Sequence, residues 1–144
     1  MSLGWAPWKS VKPAPAPKSR RPRVGIVEDD DDFRALVHGW LLERYEAHAY
    51  SSAEDLLARF SKAPLDLVLI DIGLPGLDGL GLAEILAASG HPVAVVMLTA
   101  SRTNRDFVRS LETGRAAFLG KPITRVELLR AVGKALAGPP TDEP

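Results

Sequence analysis

The sequence predicts an α/β fold with a doubly wound, five-stranded parallel sheet and helices on both of its faces. Short apolar runs of strand length alternate along the chain with stretches whose apolar residues recur at helical spacing. The segments between consecutive runs are long enough for a helical crossover, which parallel neighbours require. Because such crossovers are right-handed, five strands alternating with five helices cover the sheet on both sides.

The first half of the chain supplies three strands and two helices. Residues 24–27 form a short apolar strand, and apolar residues then recur at helical spacing over 33–45, behind acidic residues that suit a helix N-terminus. A weaker strand is predicted at 48–50, followed by a helix that begins at the Ser52 cap. Residues 65–70 form the most apolar run, so the third strand is predicted to be central.

The second half of the chain continues this alternation. Glycine and proline residues end its elements, and Thr124 with Glu127 forms a capping-box sequence before the last helix. The predicted elements are, in order, a helix at 80–88, a strand at 93–98, a helix at 104–113, a strand at 116–119 and a helix from 124 to 138.

Composition excludes several classes of protein. The 144 residues are 46% hydrophobic and 25% charged, as in soluble globular chains, and none is cysteine. This excludes disulfide frameworks, thiolate metal sites and cysteine nucleophiles, and it suits a cytoplasmic location. No apolar stretch approaches the roughly 20 residues that span a bilayer, so we expect no membrane insertion.

The distribution of charge and proline predicts one domain with tails. Residues 1–22 are rich in proline, alanine and basic residues and read as a flexible tail or linker, residues 23–138 as the domain, and residues 139–144 as a C-terminal tail. The first 23 residues hold six of the 18 basic residues and none of the 18 acidic ones, which leaves 12 basic against 18 acidic residues, or −6. We therefore expect no direct binding of nucleic acid by the domain.

Polar side chains follow four of the five predicted strands. They are Glu28 and Asp29 after the first, Asp71 at the end of the third, Thr99 at the end of the fourth and Lys121 after the fifth. Ligand sites of such sheets lie beyond the carboxyl ends of the strands, so we expect these side chains to converge. Neighbouring carboxylates repel unless a cation lies among them, and an oxygen-only set suits Mg²⁺. A lysine and a hydroxyl beside the cation suit phosphoryl oxygens.

Each of these residues also has a purely structural explanation. The acids after the first strand suit a helix start, Asp71 suits a turn, Thr99 suits a strand end, and a lone Lys121 suits the surface. The coincidence of all of them at one edge favours a shared site.

Four segments resemble the motifs of the receiver domain of two-component response regulators. They are Val27-Glu28-Asp29-Asp30, residues 69–79 around Asp71, Met97-Leu98-Thr99-Ala100 and Phe118-Leu119-Gly120-Lys121-Pro122. Their order and spacing match the family over residues 23–138. The resemblance implies a flavodoxin-like sheet of order 2-1-3-4-5, in which the first and third strands are neighbours.

The resemblance implies a chemical role for the acidic residues. Asp71 would accept a phosphoryl group from a phosphohistidine of a histidine kinase or histidine phosphotransfer protein. Asp29 and Asp71 would bind Mg²⁺ directly, Glu28 would bind it through water, and the backbone carbonyl of Gly73 would supply a further ligand.

The resemblance also implies a switch. Lys121 would pair with the phosphoryl group, ahead of a cis peptide bond to Pro122, while Thr99 would turn toward the new oxygens and Phe118 would rotate inward. The face of the fourth predicted helix, fifth strand and fifth predicted helix would then change its partners, and a homodimer through this face is one expectation.

Three positions depart from the family pattern. Gly73 is smaller than the usual residue, which affects the phosphoryl lifetime, Arg115 follows Gly114 where alanine is usual, and Gly120 precedes the lysine.

Two other functions remain open from the sequence. An aspartyl-phosphate-forming phosphohydrolase usually has a second acid two residues after its nucleophile, where this chain has Gly73. A degenerate interaction module would have no need of all five polar residues. We therefore expect no enzyme activity beyond self-phosphorylation and self-dephosphorylation, and the proline-rich linker favours a receiver appended to other modules.

Overall fold

The structure, a computed structural model, describes residues 20–100 and 116–138. Within these ranges the elements are β1 (Arg23–Val27), α1 (Asp31–Leu41), β2 (Glu46–Tyr50), α2 (Ala53–Phe60), β3 (Leu67–Asp71), α3 (Gly79–Ala87), β4 (Ala94–Thr99), β5 (Ala116–Gly120) and α4 (Arg125–Ala137). The helix predicted at 104–113 and both predicted tails, apart from residues 20–22, lie outside the described residues.

The five strands form one parallel sheet in the order β2-β1-β3-β4-β5. This confirms the predicted fold class and strand order. All five residues of β3 are buried, as expected for a central strand. Val27 pairs with Ile70, Asp71 with Leu98, and Thr99 with Gly120, so the strands that carry the polar residues end at one edge of the sheet.

The sheet separates two hydrophobic cores. Leu67 and Leu69 of β3 point into a core shared with α1 and α4, whereas Val68 and Ile70 point into a core shared with α2 and α3. Successive side chains of a strand face opposite sides, so a strand that is buried on both sides reads as a continuous apolar run. Both cores together stabilise the edge at which the polar residues lie.

Helix α1 ends earlier than its apolar pattern predicts. The helical spacing continues to Tyr45, but the helix ends at Leu41, and Tyr45 is buried from the following turn instead. The backbone N–H groups of Arg44 and Tyr45 donate to the Leu41 carbonyl, and the Arg21 guanidinium donates to the Leu42 carbonyl at 3.1 Å. These contacts satisfy the last carbonyls of the helix and turn the chain toward β2.

Not every apolar residue at helical spacing faces a core. Leu36 of α1 is 50% exposed, although the spacing alone places it with the buried face. The strand bounds lie within two residues of the predicted ones, and β1 and β2 end, and β5 begins, at the predicted residue. None of the helices in the described ranges is long and apolar enough to cross a membrane.

The predicted helix caps at Ser52 and Thr124 are confirmed. The Ser52 side chain accepts the Asp55 N–H at 3.0 Å, and the Thr124 hydroxyl accepts the Glu127 N–H while the Glu127 carboxylate accepts the Thr124 N–H. Each cap satisfies backbone N–H groups that the helix itself leaves unpaired.

Replacing Ser52 by alanine is expected to lower the free energy of unfolding by about 1 kcal/mol, since the Asp55 N–H loses its acceptor. Urea unfolding followed by circular dichroism measures this loss. The neighbouring exposed Ser51→Ala is the control and should leave the midpoint unchanged. Equal midpoints for the two variants would show that the cap does not stabilise α2.

Candidate functional site

Three carboxylates meet at the carboxyl ends of β1 and β3. Glu28 and Asp29 follow β1, and Asp71 is the last residue of the adjacent β3. One carboxylate oxygen from each lies within 4.8 Å of the other two. Glu28 is 1% exposed and Asp71 is 9% exposed, whereas Asp29 is open to solvent. The structure thus brings the three predicted acids into one pocket with a solvent-facing side.

Glu28 is held at both carboxylate oxygens. Its Oε2 accepts the Asp30 N–H at 3.0 Å, and its Oε1 accepts a hydrogen bond from the Lys121 ammonium at 3.0 Å. Burial raises the pKa of Glu28 above its ordinary value, and the charge of Asp71 adds to this, while the bonds from Asp30 and Lys121 lower it. Ionising all the acids of this pocket therefore costs free energy unless a cation binds there in addition to Lys121.

Lys121 brings its positive charge to two of the three acids. Its Nζ lies 3.7 Å from Asp71 Oδ1, in addition to the bond with Glu28. The Lys121 backbone N–H donates to the Thr99 carbonyl at 2.8 Å, which fixes the start of this side chain at the sheet edge. The Lys121–Pro122 peptide bond is cis, as the resemblance implies.

The loop after β3 shapes the surroundings of Asp71. The Gly73 N–H donates to Asp71 Oδ1 at 3.2 Å, and the Ile72 N–H donates to the Leu98 carbonyl at 2.9 Å. A side chain at Gly73 would approach only the Asp71 carboxylate, at 3.9 Å from its first carbon. Because residue 73 is glycine, it does not cover the Asp71 carboxylate on this side.

The two predicted switch residues lie on adjacent strands. Thr99 ends β4 and is 2% exposed, and Phe118 lies in β5 opposite Met97. The side chain of Phe118 falls outside the described part of the chain, as do Gly114 and Arg115. Gly120 is the last residue of β5 and pairs with Thr99.

Two residues of α1, Phe33 and Arg34, also lie at the site, although the sequence did not assign them to it. Arg34 donates to the Glu28 carbonyl at 2.8 Å and to Asp31 Oδ1 at 2.6 Å. The ring of Phe33 lies 4.5 Å from Lys121 Nζ. Both follow the Asp30 cap by one helical turn, and side chains there point back toward the helix N-terminus and hence toward the strand end. Their position one turn after the Asp30 cap is the sequence signal that could have assigned these two residues to the site.

The donor set suits a hard divalent cation. The gathered ligands are carboxylate oxygens, and one ammonium contacts two of the three acids. Carboxylate oxygens on a partly open pocket fit Mg²⁺, which prefers few protein ligands and keeps several waters.

A parallel sheet of this order, with acids after β1 and at the end of β3 and a lysine after β5, is the architecture of receiver domains. The family model of the response regulator receiver domain matches residues 24–133, and the chain belongs to this family. It is thus a receiver domain of the two-component response regulator type.

Named relatives agree with this membership. The chain is 39% identical to the transcriptional regulatory protein PcoR of Escherichia coli over 111 residues, 76% of this chain and 49% of that protein. It is 38% identical to the transcriptional regulatory protein PrrA of Mycobacterium tuberculosis over 117 residues, 80% of this chain and 49% of that protein. The chain therefore spans about half the length of these curated relatives.

Solved structures agree on the fold. NtrX from Brucella abortus superposes with a TM-score of 0.74 at 29% identity, over 81% of this chain and 27% of that one. A CheY-like receiver domain protein from Methanospirillum hungatei superposes with a TM-score of 0.73 at 28% identity, over 81% of this chain and 94% of that one.

Proposed function

We propose that this chain is a phosphoacceptor receiver, in which Asp71 takes a phosphoryl group from a phosphohistidine in the presence of Mg²⁺. The donor is a histidine kinase or a histidine phosphotransfer protein. One observation carries the proposal: the oxygens of Glu28, Asp29 and Asp71 lie within 4.8 Å of one another, and the Lys121 ammonium lies 3.7 Å from Asp71. A buried acid beside an ammonium in an acidic pocket suits a nucleophile better than a structural carboxylate.

In the proposed transfer, Asp71 is the nucleophile, and Lys121 and Thr99 each stabilise one oxygen of the phosphoryl group. An oxygen of the Asp71 carboxylate forms a bond to phosphorus as the P–N bond of the donor breaks, and the electron pair of that bond remains on the imidazole nitrogen. Lys121 then donates to a phosphoryl oxygen and pairs with its charge. The Thr99 hydroxyl, at the adjacent strand end, donates to another.

Four groups of this chain would hold the cation. They are the carboxylates of Asp29 and Asp71, the carboxylate of Glu28 through water and the backbone carbonyl of Gly73. When bound, Mg²⁺ neutralises charge on the acids and on the incoming phosphoryl oxygens. Glu28 is held at its backbone as well as at its side chain, since Arg34 donates to its carbonyl at 2.8 Å.

The proposal extends to the output of the domain. Reorientation of Thr99 and Phe118 would change the face formed by the predicted helix at 104–113, β5 and α4, and a homodimer through this face belongs to the proposal.

We further propose that the receiver comprises residues 23–138, with 1–22 as a tail or linker and 139–144 as a C-terminal tail. We propose that it acts in the cytoplasm. Binding of nucleic acid by the domain itself is not part of the function.

Beryllofluoride, a mimic of an acyl-bound phosphoryl group, is expected to shift the amide resonances of Thr99 and Phe118 when added with Mg²⁺. The reason is that Thr99 ends β4, the strand next to the Asp71 strand, and Phe118 lies on β5, the next strand along the sheet. Asp71→Asn should abolish these shifts, because the variant lacks the carboxylate oxygen that binds beryllium. Two-dimensional ¹H–¹⁵N spectra of the 144-residue chain measure the effect.

Asp66→Asn is the matched control for this experiment. Asp66 precedes β3 at its opposite end, where its carboxylate accepts the Arg23 N–H at 2.7 Å. This variant should respond like the wild type. The assignment of Asp71 is wrong if Asp71→Asn responds as strongly as Asp66→Asn. Sustained turnover of a free phosphate ester would instead favour the phosphohydrolase.

A further inference from the structure

The Lys121 ammonium has an aromatic neighbour in addition to its acidic ones. Its Nζ lies 4.5 Å from the centroid of the Phe33 ring and 3.0 Å from Glu28 Oε1. The face of an aromatic ring attracts a cation at this distance, and the attraction grows as water is excluded. The Lys121 side chain is only 23% exposed, so the ring takes the place of water on one side of the ammonium.

Phe33 is linked through Asp30 to the Glu28 carboxylate, which also binds Lys121. Glu28 Oε2 accepts the Asp30 N–H at 3.0 Å, and Asp30 Oδ1 in turn accepts the Phe33 N–H at 3.0 Å. Glu28 Oε1 accepts from Lys121. These contacts form a closed circuit through Glu28, Asp30, Phe33 and Lys121. Lys121 contacts Glu28 directly, and the backbone of Phe33 is linked to the same carboxylate through Asp30.

We infer that Phe33 is a positioning residue for Lys121, which holds the ammonium at the pocket and thereby sets the rate at which Asp71 accepts a phosphoryl group. A lysine side chain has many rotamers. A contact that restricts them before the reaction lowers the conformational entropy that the side chain loses during phosphoryl transfer. The ammonium lies closer to Glu28 than to Asp71, at 3.0 Å against 3.7 Å. The ring keeps it near both acids, so that it needs only a small shift to reach a phosphoryl oxygen.

The inference rests on the proposed function, but it leaves the chemical step unchanged. The same O–P bond forms on Asp71 and the same P–N bond breaks, with the electron pair left on the donor nitrogen. Phe33 touches neither of the reacting atoms. It acts through Lys121, so removal of the ring should slow the step and should not abolish it.

Phe33→Leu is expected to slow phosphorylation by phosphoramidate and Mg²⁺ about three- to tenfold, because the cation–ring attraction is lost. Phe33→Tyr retains the ring face and should stay within about twofold of wild type. Phe33→Met is a second non-aromatic variant, so that a folding defect peculiar to leucine does not decide the result. Rates are measured on the 144-residue chain by phosphate-affinity electrophoresis.

A second measurement tests the contact without any phosphoryl donor or metal. In the wild type, the ring current of Phe33 should shift the ε-methylene protons of Lys121 upfield. This shift should vanish in Phe33→Leu and persist in Phe33→Tyr. If the wild type shows the shift yet accepts no phosphoryl group, the proposed function fails while the contact stands.

The control variant is Leu36→Ala, which alters an apolar residue of the same helix that is 50% exposed. It should match the wild type in both measurements. The inference is overturned if Phe33→Leu and Phe33→Met phosphorylate at the wild-type rate, or if Phe33→Tyr loses as much rate as they do. Absence of the Lys121 shift in the wild type would also overturn it.

Discussion

Mg²⁺ is expected to raise the free energy of unfolding of the wild-type chain by about 2.7 kcal/mol at a concentration one hundred times its dissociation constant. Three carboxylates lie within 4.8 Å of one another in the native state, and the unfolded chain does not gather them. A cation that binds the native state alone therefore shifts the equilibrium toward it. Asp71→Asn removes one of three anionic ligands, so the gain at the same Mg²⁺ concentration should be much smaller.

Urea unfolding at increasing MgCl₂, with a chelator as the starting point and ionic strength held constant, measures this gain. Asp66→Asn again serves as the control, since its side chain lies at the other end of β3 and should keep the full gain. An equal gain for Asp71→Asn would place the bound cation elsewhere, for example at the exposed acids at residues 30–32. No gain in the wild type would contradict the metal site itself.

The fold was predictable because several local signals agree. Residues 67–70 of β3 are all apolar and lie in the centre of the sheet, and the caps at Ser52 and Thr124 begin helices as predicted. The end of α1 was not predictable from spacing. Tyr45 continues the apolar pattern, yet the helix ends at Leu41, and the carbonyl of the next residue, Leu42, accepts a hydrogen bond from Arg21 in the segment before β1. That contact is tertiary and leaves no local pattern.

The acids and the lysine of the site were predictable because each lies at or just after the end of a strand, and the carboxyl ends of parallel strands share one edge. The sequence did not place Phe33 and Arg34 at the site, because their positions depend on how α1 packs against the sheet. In the sequence, Phe33 reads only as one of the apolar residues of α1. Its contact with Lys121 arises from the Asp30 cap, which sets the direction in which the first turn points.

Gly79→Ala is expected to lower the free energy of unfolding by about 1–3 kcal/mol and to slow phosphorylation of Asp71. A methyl group at Gly79 would lie 2.5 Å from the Asp71 carbonyl oxygen and 2.9 Å from Ile72 Cα, distances at which the backbone has to move. Gly79 is the first residue of α3, so the helix start rests directly on the backbone that carries Asp71, the proposed phosphoacceptor. Urea unfolding and phosphoramidate kinetics measure the two effects.

Gly39→Ala supplies the matched control, since it makes the same chemical change where there is room. A methyl group at Gly39 would meet nothing within 4 Å, and alanine is favoured over glycine inside a helix such as α1 by about 1 kcal/mol. This variant should therefore be more stable than the wild type and phosphorylate at the same rate. The opposite signs of two identical substitutions would locate the effect in the contact between α3 and Asp71. Wild-type stability and rate in Gly79→Ala would show that the loop after β3 yields without disturbing the site.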